Sequence, residues 1–155
     1  MYATQLKKSL ESDEYIRPLF QGTYSIDQLP LQVERHPSLY VVNSDLAKNV
    51  GQHWFCIYFD SDKTCNFWDS LGQHPSKYGK YLTRFLDRNC TSLLYNSRRL
   101  QSDSSAVCGH YVLYFAYYRS RKMPLECIMD HFGLCSNVND LYVYNFCRKH
   151  FSCTL

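Results

Sequence analysis

Four side chains occur in an order that would let a thiol attack a carbonyl: His53, Asp69, Gln101 and Cys108. A thiol is a nucleophile only as thiolate, and free cysteine is mostly protonated near neutral pH. It therefore needs a partner that takes its proton. His53 can form an imidazolium–thiolate pair with it. Asp69 can fix the tautomer of that ring and favour its charged form. Gln101 can offer its side-chain amide, beside the backbone N–H of Cys108, to the charge that develops on the attacked oxygen. Each residue alone has a plainer reading: a packed thiol, a strand-end ring, a turn former, a surface amide. Those readings predict no order and no particular flanks.

The flanks are specific. His53 opens the strand-like run GQHWFCIYF, and Asp69 closes CNFWDS. Gln101 leads QSDSSAVCGHY, where a polar stretch turns into an apolar helix at Cys108. Ser104 or Ser105 can cap that helix, which would put the sulfur in the first turn, near the positive end of the helix dipole. Gly109 would let substrate or a neighbouring strand approach closely. Trp54 and Trp68 read first as core residues.

The elements that must position these groups follow from periodicity. Apolar residues at Tyr2, Leu6 and Leu10 predict a helix over 2–12. Residues 18–37 are rich in Gly, Pro and polar types and read as loop. Strands are predicted over 39–43, 53–59 and 65–69, with hairpin-turn chemistry at 60–64, and a further one over 92–95. Tyr78, Tyr81, Leu82, Phe85 and Leu86 share one face of a helix over 76–88. Residues 105–121 form the most apolar helix. Pro124 suits the first turn of another over 124–132, and 140–150 supply a last one. The fold class is α+β: a small central mixed or antiparallel sheet flanked by helices, with the nucleophile at the start of a central helix.

Bulk properties bound the rest. The 155 residues make one domain over 1–155, with no repeat, low-complexity tract or linker. Hydrophobic residues at 45% and charged residues at 20% describe a globular chain. A net charge of +3 permits nucleic-acid contact without demanding it. The eight cysteines are scattered and form no CxxC pair, so neither a disulfide framework nor structural zinc is expected. The first fifteen residues carry no apolar signal core, and no window suits a bilayer span. A reducing compartment is expected.

On these motifs the chain resembles the adenovirus-type maturation proteases, the adenain family. The resemblance is collinear: FQGTY (20–24), VVN followed by GQHW, FWDSLG, and QSDSSAVCG. Its most specific part is a Gln seven positions before a Cys-Gly. It implies a protease fold with His53 as base, Asp69 as orienter, Gln101 as oxyanion donor and Cys108 as nucleophile. It further implies a viral or virus-like-element endopeptidase that cuts capsid and core precursors at Gly-Gly or Gly-x-Gly sites during virion maturation. Trp54 would crowd the substrate groove, with Gly109 beside it. No metal or small-molecule cofactor is implied, while DNA and a short activating peptide are, the peptide bonded through a disulfide to Cys90. Viral precursors are the expected partners, the protein a monomer, and the host nucleus and virion its location. Asp69 stands where adenoviral enzymes usually have Glu, and the sequence stops well before the adenain C-terminus. Lys7-Lys8, Arg98-Arg99, Arg119/Arg121/Lys122 and Arg148-Lys149 are candidate DNA contacts. Two alternatives stand beside this reading. One is a SUMO- or ubiquitin-like-protein isopeptidase, suggested by Asp69-Ser70-Leu71. The other is a non-catalytic DNA-packing module that kept the fold.

Overall fold

Strand Trp54–Phe59 is buried on both faces, and the rest of the molecule is arranged to cover it. Phe55, Ile57 and Phe59 point into one core, and Cys56 and Tyr58 into the other, the period of two that a strand imposes. The computed structural model describes residues 1–151, so Cys153 lies outside the described residues. In chain order the elements are α1 (Ala3–Ser12), β1 (Phe20–Ser25), β2 (Ser38–Asn43), β3 (Trp54–Phe59), β4 (Thr64–Trp68), α2 (Lys80–Asn89), β5 (Ser92–Tyr95), α3 (Cys108–Ser120), α4 (Leu125–Met129) and α5 (Ser136–His150). The sheet runs β1-β2-β3-β4-β5. Its three central strands are antiparallel, and each edge strand joins in parallel. The mixed α+β architecture is the one expected from the sequence.

Helices cover both faces. Leu82, Phe85 and Leu86 of α2 pack on Phe55, Phe67 and Cys65. On the other face, α3 is buried continuously from Cys108 to Ala116 between the sheet and α1, α4 and α5. Trp68 at the end of β4 stacks on Phe115, centroids 4.9 Å apart, and its Nε1–H donates to the Tyr111 carbonyl at 3.0 Å. This contact locks the end of β4 onto α3. Among the described residues, no helix is long and apolar enough to cross a membrane.

Several local expectations change. The loop assigned to 18–37 contains β1, an edge strand whose FQGTYS sequence is half-buried throughout and lacks the apolar alternation that would reveal it. His53 stands just before β3. The helix expected over 76–88 is broken: a 3₁₀ turn at Pro75–Tyr78 ends at Gly79 (φ 90°), and α2 starts beyond it. Helix α3 begins at Cys108, with no side-chain cap, so neither Ser104 nor Ser105 caps it. The Ser105 carbonyl is instead occupied by the Gln101 amide. Pro124 is the N-cap of α4, which is shorter than expected, and α5 starts earlier, at Ser136.

Candidate active site

The end of β4 delivers Asp69, and the chain there is clamped from three sides. Its backbone N–H donates to Asn96 Oδ1 at 2.9 Å, and Asn96 Nδ2 donates back to its carbonyl at 2.5 Å. The chain then turns, with the Gly72 N–H donating to the Asp69 carbonyl at 2.8 Å. Gly72 has φ 68°, and a Cβ there would come within 2.6 Å of the Arg98–Arg99 backbone, so only glycine fits. The carboxylate is fully buried and saturated with donors. Oδ1 accepts from the Leu71 N–H at 2.9 Å and meets His53 Nε2 at 2.6 Å. Oδ2 accepts from the Tyr78 hydroxyl at 2.7 Å and the Gln73 N–H at 3.2 Å.

His53 is fixed at both ends. Its carbonyl accepts the Ser44 N–H at 2.9 Å, and its ring lies parallel to Tyr78 with centroids 6.2 Å apart. Nε2 is engaged by Asp69, which leaves Nδ1 for the Cys108 sulfur, with which the ring is hydrogen-bonded. Burial disfavours a charged ring. The hydrogen bonds to Asp69 and Cys108, and their negative charges, outweigh it and raise His53 to about 9. Asp69 is held below the usual carboxylate range, because the His53 contact and the Tyr78 and Leu71 donors overcome its desolvation. Burial would push the Cys108 thiol up. The His53 ring and the backbone N–H groups of Trp54 and Gly109 bring it below its ordinary value instead. The geometry therefore shifts both groups toward the thiolate–imidazolium pair.

Gln101 is held so that one amide hydrogen is left over. The Ser70 hydroxyl donates to its Oε1 at 2.6 Å, and its Nε2 donates to the Ser105 carbonyl at 2.9 Å. The Ser70 carbonyl also accepts the N–H groups of Leu100 and Gln101, at 2.9 and 3.0 Å. Residues 101–107 thus wrap around the Gln101 side chain before α3 begins. Gln101, His53 and Cys108 all border one cleft of about 750 Å³. Cys108 opens α3, where first-turn N–H groups have no partner within the helix and can face an anion.

Trp54 lines the cleft, its Nε1–H donating to the Met1 carbonyl at 3.1 Å. Gly109 is placed differently from the expectation. A Cβ on it would lie 3.1 Å from Leu6 Cδ1 and from Met1 Cβ and Sδ, so its small size admits α1 and the segment before it. Its N–H, rather than its missing side chain, serves the sulfur. Cys90 does not line the cleft. Among the described residues, no cluster of His, Cys, Asp and Glu is arranged to hold a metal ion.

Sequence reasoning missed Ser70, Tyr78 and Asn96. Tyr78 reads as one apolar member of a helical face, and the break at Gly79 is what turns it onto Asp69. The parallel register of β4 and β5, with Phe67 opposite Tyr95, carries Asn96 to the end of β4. That pairing belongs to the fold, so no local sequence signal points to Asn96.

No family model matches this sequence, and no curated protein matches it. Solved structures do. The ASFV pS273R protease is similar at 19% identity and a TM-score of 0.46, over 73% of this chain and 43% of that one. The central domain of the uncharacterized Lpg1148 protein from Legionella pneumophila is similar at 12% identity and a TM-score of 0.53, over 96% of this chain and 97% of that one. ChlaDub1 from Chlamydia trachomatis gives 16% identity and a TM-score of 0.53, over 96% of this chain and 73% of that one. The chain shares its α+β fold with the Lpg1148 central domain and with ChlaDub1.

Proposed function

We propose that this chain is a cysteine endopeptidase that cuts precursor polypeptides at Gly-Gly or Gly-x-Gly sites during maturation of a viral or virus-like particle. One observation carries the catalytic part: Cys108, His53 and Gln101, from three separate stretches, border a single cleft, and buried Asp69 holds His53 from behind at 2.6 Å. In this reading the Cys108 thiolate attacks the scissile carbonyl. The oxyanion is met by the free Gln101 amide hydrogen and the Cys108 N–H. The His53 imidazolium gives its proton to the departing amine, leaving an acyl-thioester. His53 then takes a proton from the water that hydrolyses it, and Asp69 holds the ring oriented throughout. The cleft wall suits an extended peptide with small side chains. It carries the amides of Asn43, Asn49 and Gln52, and Trp54 is pinned in place by its bond to Met1.

The remaining parts rest on the motif resemblance. Viral precursors are the substrates, DNA and a thiol-bearing peptide the activators, the host nucleus and virion the location, and a monomer the working form. For DNA contact, several candidate cations already have partners. Arg98 donates to the Gly133, Met129 and Phe132 carbonyls, Arg119 to Asn66, and Arg121 pairs with Asp13 at 2.8 Å. Lys8, Lys122, Arg148 and Lys149 are the stronger candidates. Peptide capture would use Cys90, a half-buried thiol.

The test compares wild type with Cys108→Ala on a Gly-Gly reporter peptide, with and without DNA, and on folded ubiquitin and SUMO fusions. Peptide cleavage that disappears in the variant is expected. Cleavage of the fusions alone would move the assignment to the isopeptidase alternative. No cleavage, with Cys108 alkylated by iodoacetamide no faster than the other thiols, would leave the non-catalytic module.

A further inference from the structure

Cys90 ends α2 as its C-cap, and the chain from there is stitched onto the start of β4. The Thr91 N–H and hydroxyl donate to the Lys63 carbonyl at 3.2 and 3.1 Å, and Cys65 sits opposite Leu93 in the parallel pair. This brings the two sulfurs together. Cys65 belongs to the core beneath α2, Cys90 packs against that core, and the two thiols are in hydrogen-bonding contact. The Cys90 Sγ–H also reaches the Ser92 carbonyl at 3.1 Å. One thiol is fully buried and the other is half-buried with access to solvent.

We propose that Cys65 and Cys90 are a reversible oxidation site, which a peroxide converts to an intramolecular disulfide. The two members suit different parts. The Cys65 thiol donates to the Cys90 sulfur, and this bond, with backbone help from Cys65 and Ser92, lowers Cys90 to about 7 against the effect of its burial. Cys65 is pushed well up, chiefly by burial. In the first step, the Cys90 thiolate attacks one peroxide oxygen, the O–O bond breaks, and a sulfenic acid forms while hydroxide departs and is protonated to water. In the second, the Cys65 sulfur displaces the sulfenic oxygen. The Cys65 proton leaves with it as a second water. Two thiols and one peroxide give one disulfide and two waters.

The bond would close a loop holding α2, Tyr78 and the Asp69–Gly72 turn, so oxidation would tie down the segment that supplies the carboxylate of the candidate site. It would also remove Cys90 from any exchange with a second thiol. Neither consequence is needed for the site itself, and the test needs no protease activity.

The test treats the folded 155-residue chain, in a Cys108→Ala background, with a small excess of hydrogen peroxide, then blocks remaining thiols with N-ethylmaleimide. Trypsin can cut between the two cysteines at Lys77, Lys80, Arg84 and Arg88, so a link joins separate peptides. We expect a Cys65–Cys90 linked peptide, an intact mass lower by two hydrogens, and full reversal by dithiothreitol. Cys90→Ser should abolish the link. Cys65→Ala should leave Cys90 as a sulfenic acid that dimedone traps. Oxidation of wild-type Cys90 to sulfinic acid with Cys65 still free to label, or a Cys90 link to any other cysteine or to a second chain, would overturn the proposal. The map of the chain with both thiols intact decides it even where the Cys65 variant does not fold.

Discussion

Ser70 makes three hydrogen bonds to the Leu100–Gln101 segment, and one of them decides which way the Gln101 amide faces. An amide turned over would present oxygen to a developing oxyanion and repel it. Ser70 is therefore a positioning residue that acts through Gln101. On the proposed mechanism, Gln101→Ala should lower kcat roughly a hundred-fold with KM little changed. Ser70→Ala should lower kcat by about tenfold, the scale of one short hydrogen bond, and Ser70→Thr should restore most of it. The double variant should be no slower than Gln101→Ala alone. Independent, multiplying losses in that cycle would show that Ser70 works by some other route. His53, Asp69, Gln101 and Cys108 were legible in the sequence because each carries its chemistry in its own side chain and sits in an identifiable flank. Ser70, Tyr78 and Asn96 were not, because each matters only through a partner that is 31, 9 or 27 positions away.

At the scale of elements, the turn after β4 holds the site together. Asp69 through Gly72 reverses the chain against the Arg98–Arg99 backbone, and Arg99 in turn binds the Gln101 carbonyl at 2.9 Å. Gly72→Ala would place a Cβ both in a left-handed backbone conformation and against that neighbouring chain. Unlike an exposed loop glycine, it cannot relax by a small shift. We expect a stability loss of roughly 2–4 kcal/mol in urea melts, beyond the cost of the φ angle alone. A loss under about 1 kcal/mol would mean that the 98–99 segment moves freely and does not brace the turn. The elements legible in the sequence, α1, β2, β3, β4, β5 and the body of α3, are those that carry a local apolar run or a helical apolar beat, including the short edge strand β5. β1 was missed because a polar edge strand has neither signature. The α3 start was displaced because Gln101 captured the Ser105 carbonyl and kept residues 101–107 out of the helix.

For the whole molecule, the most exposed weakness is His110, buried inside α3 with neither ring nitrogen in hydrogen-bonding geometry with another described group. It packs on the ring of Tyr144, and its carbonyl faces the Cys147 thiol of α5. Burial, aided by the nearby N-terminal amine, depresses it to about 4. The sign follows from that depression. The neutral folded ring contributes stability above the unfolded value of about 6.5, and this is lost as pH falls through about 4. The loss is on the order of 3 kcal/mol across that window. His110→Leu should remove it, so the difference in urea stability between pH 7 and pH 4.5 should shrink markedly. An unchanged difference would assign the acid sensitivity to other groups. The lowered Asp69 carboxyl acts only at still lower pH, and raised His53 acts on the alkaline side, losing its contribution as pH climbs from about 6.5 through about 9.

The amino-acid sequence alone determined the reactive groups, their order, and the α+β class. A thiol, an imidazole, a carboxyl and an amide are read directly from residue type, and local periodicity names most elements. Only the tertiary structure decided which groups touch. The parallel pairing of β4 with β5 brought Asn96 to Asp69 and Cys90 to Cys65, and the packing of Trp68 on α3 joined the carboxylate side of the cleft to the sulfur. Such contacts depend on how strands and helices close over one another across long stretches of chain. Neither spacing nor composition encodes that closure residue by residue.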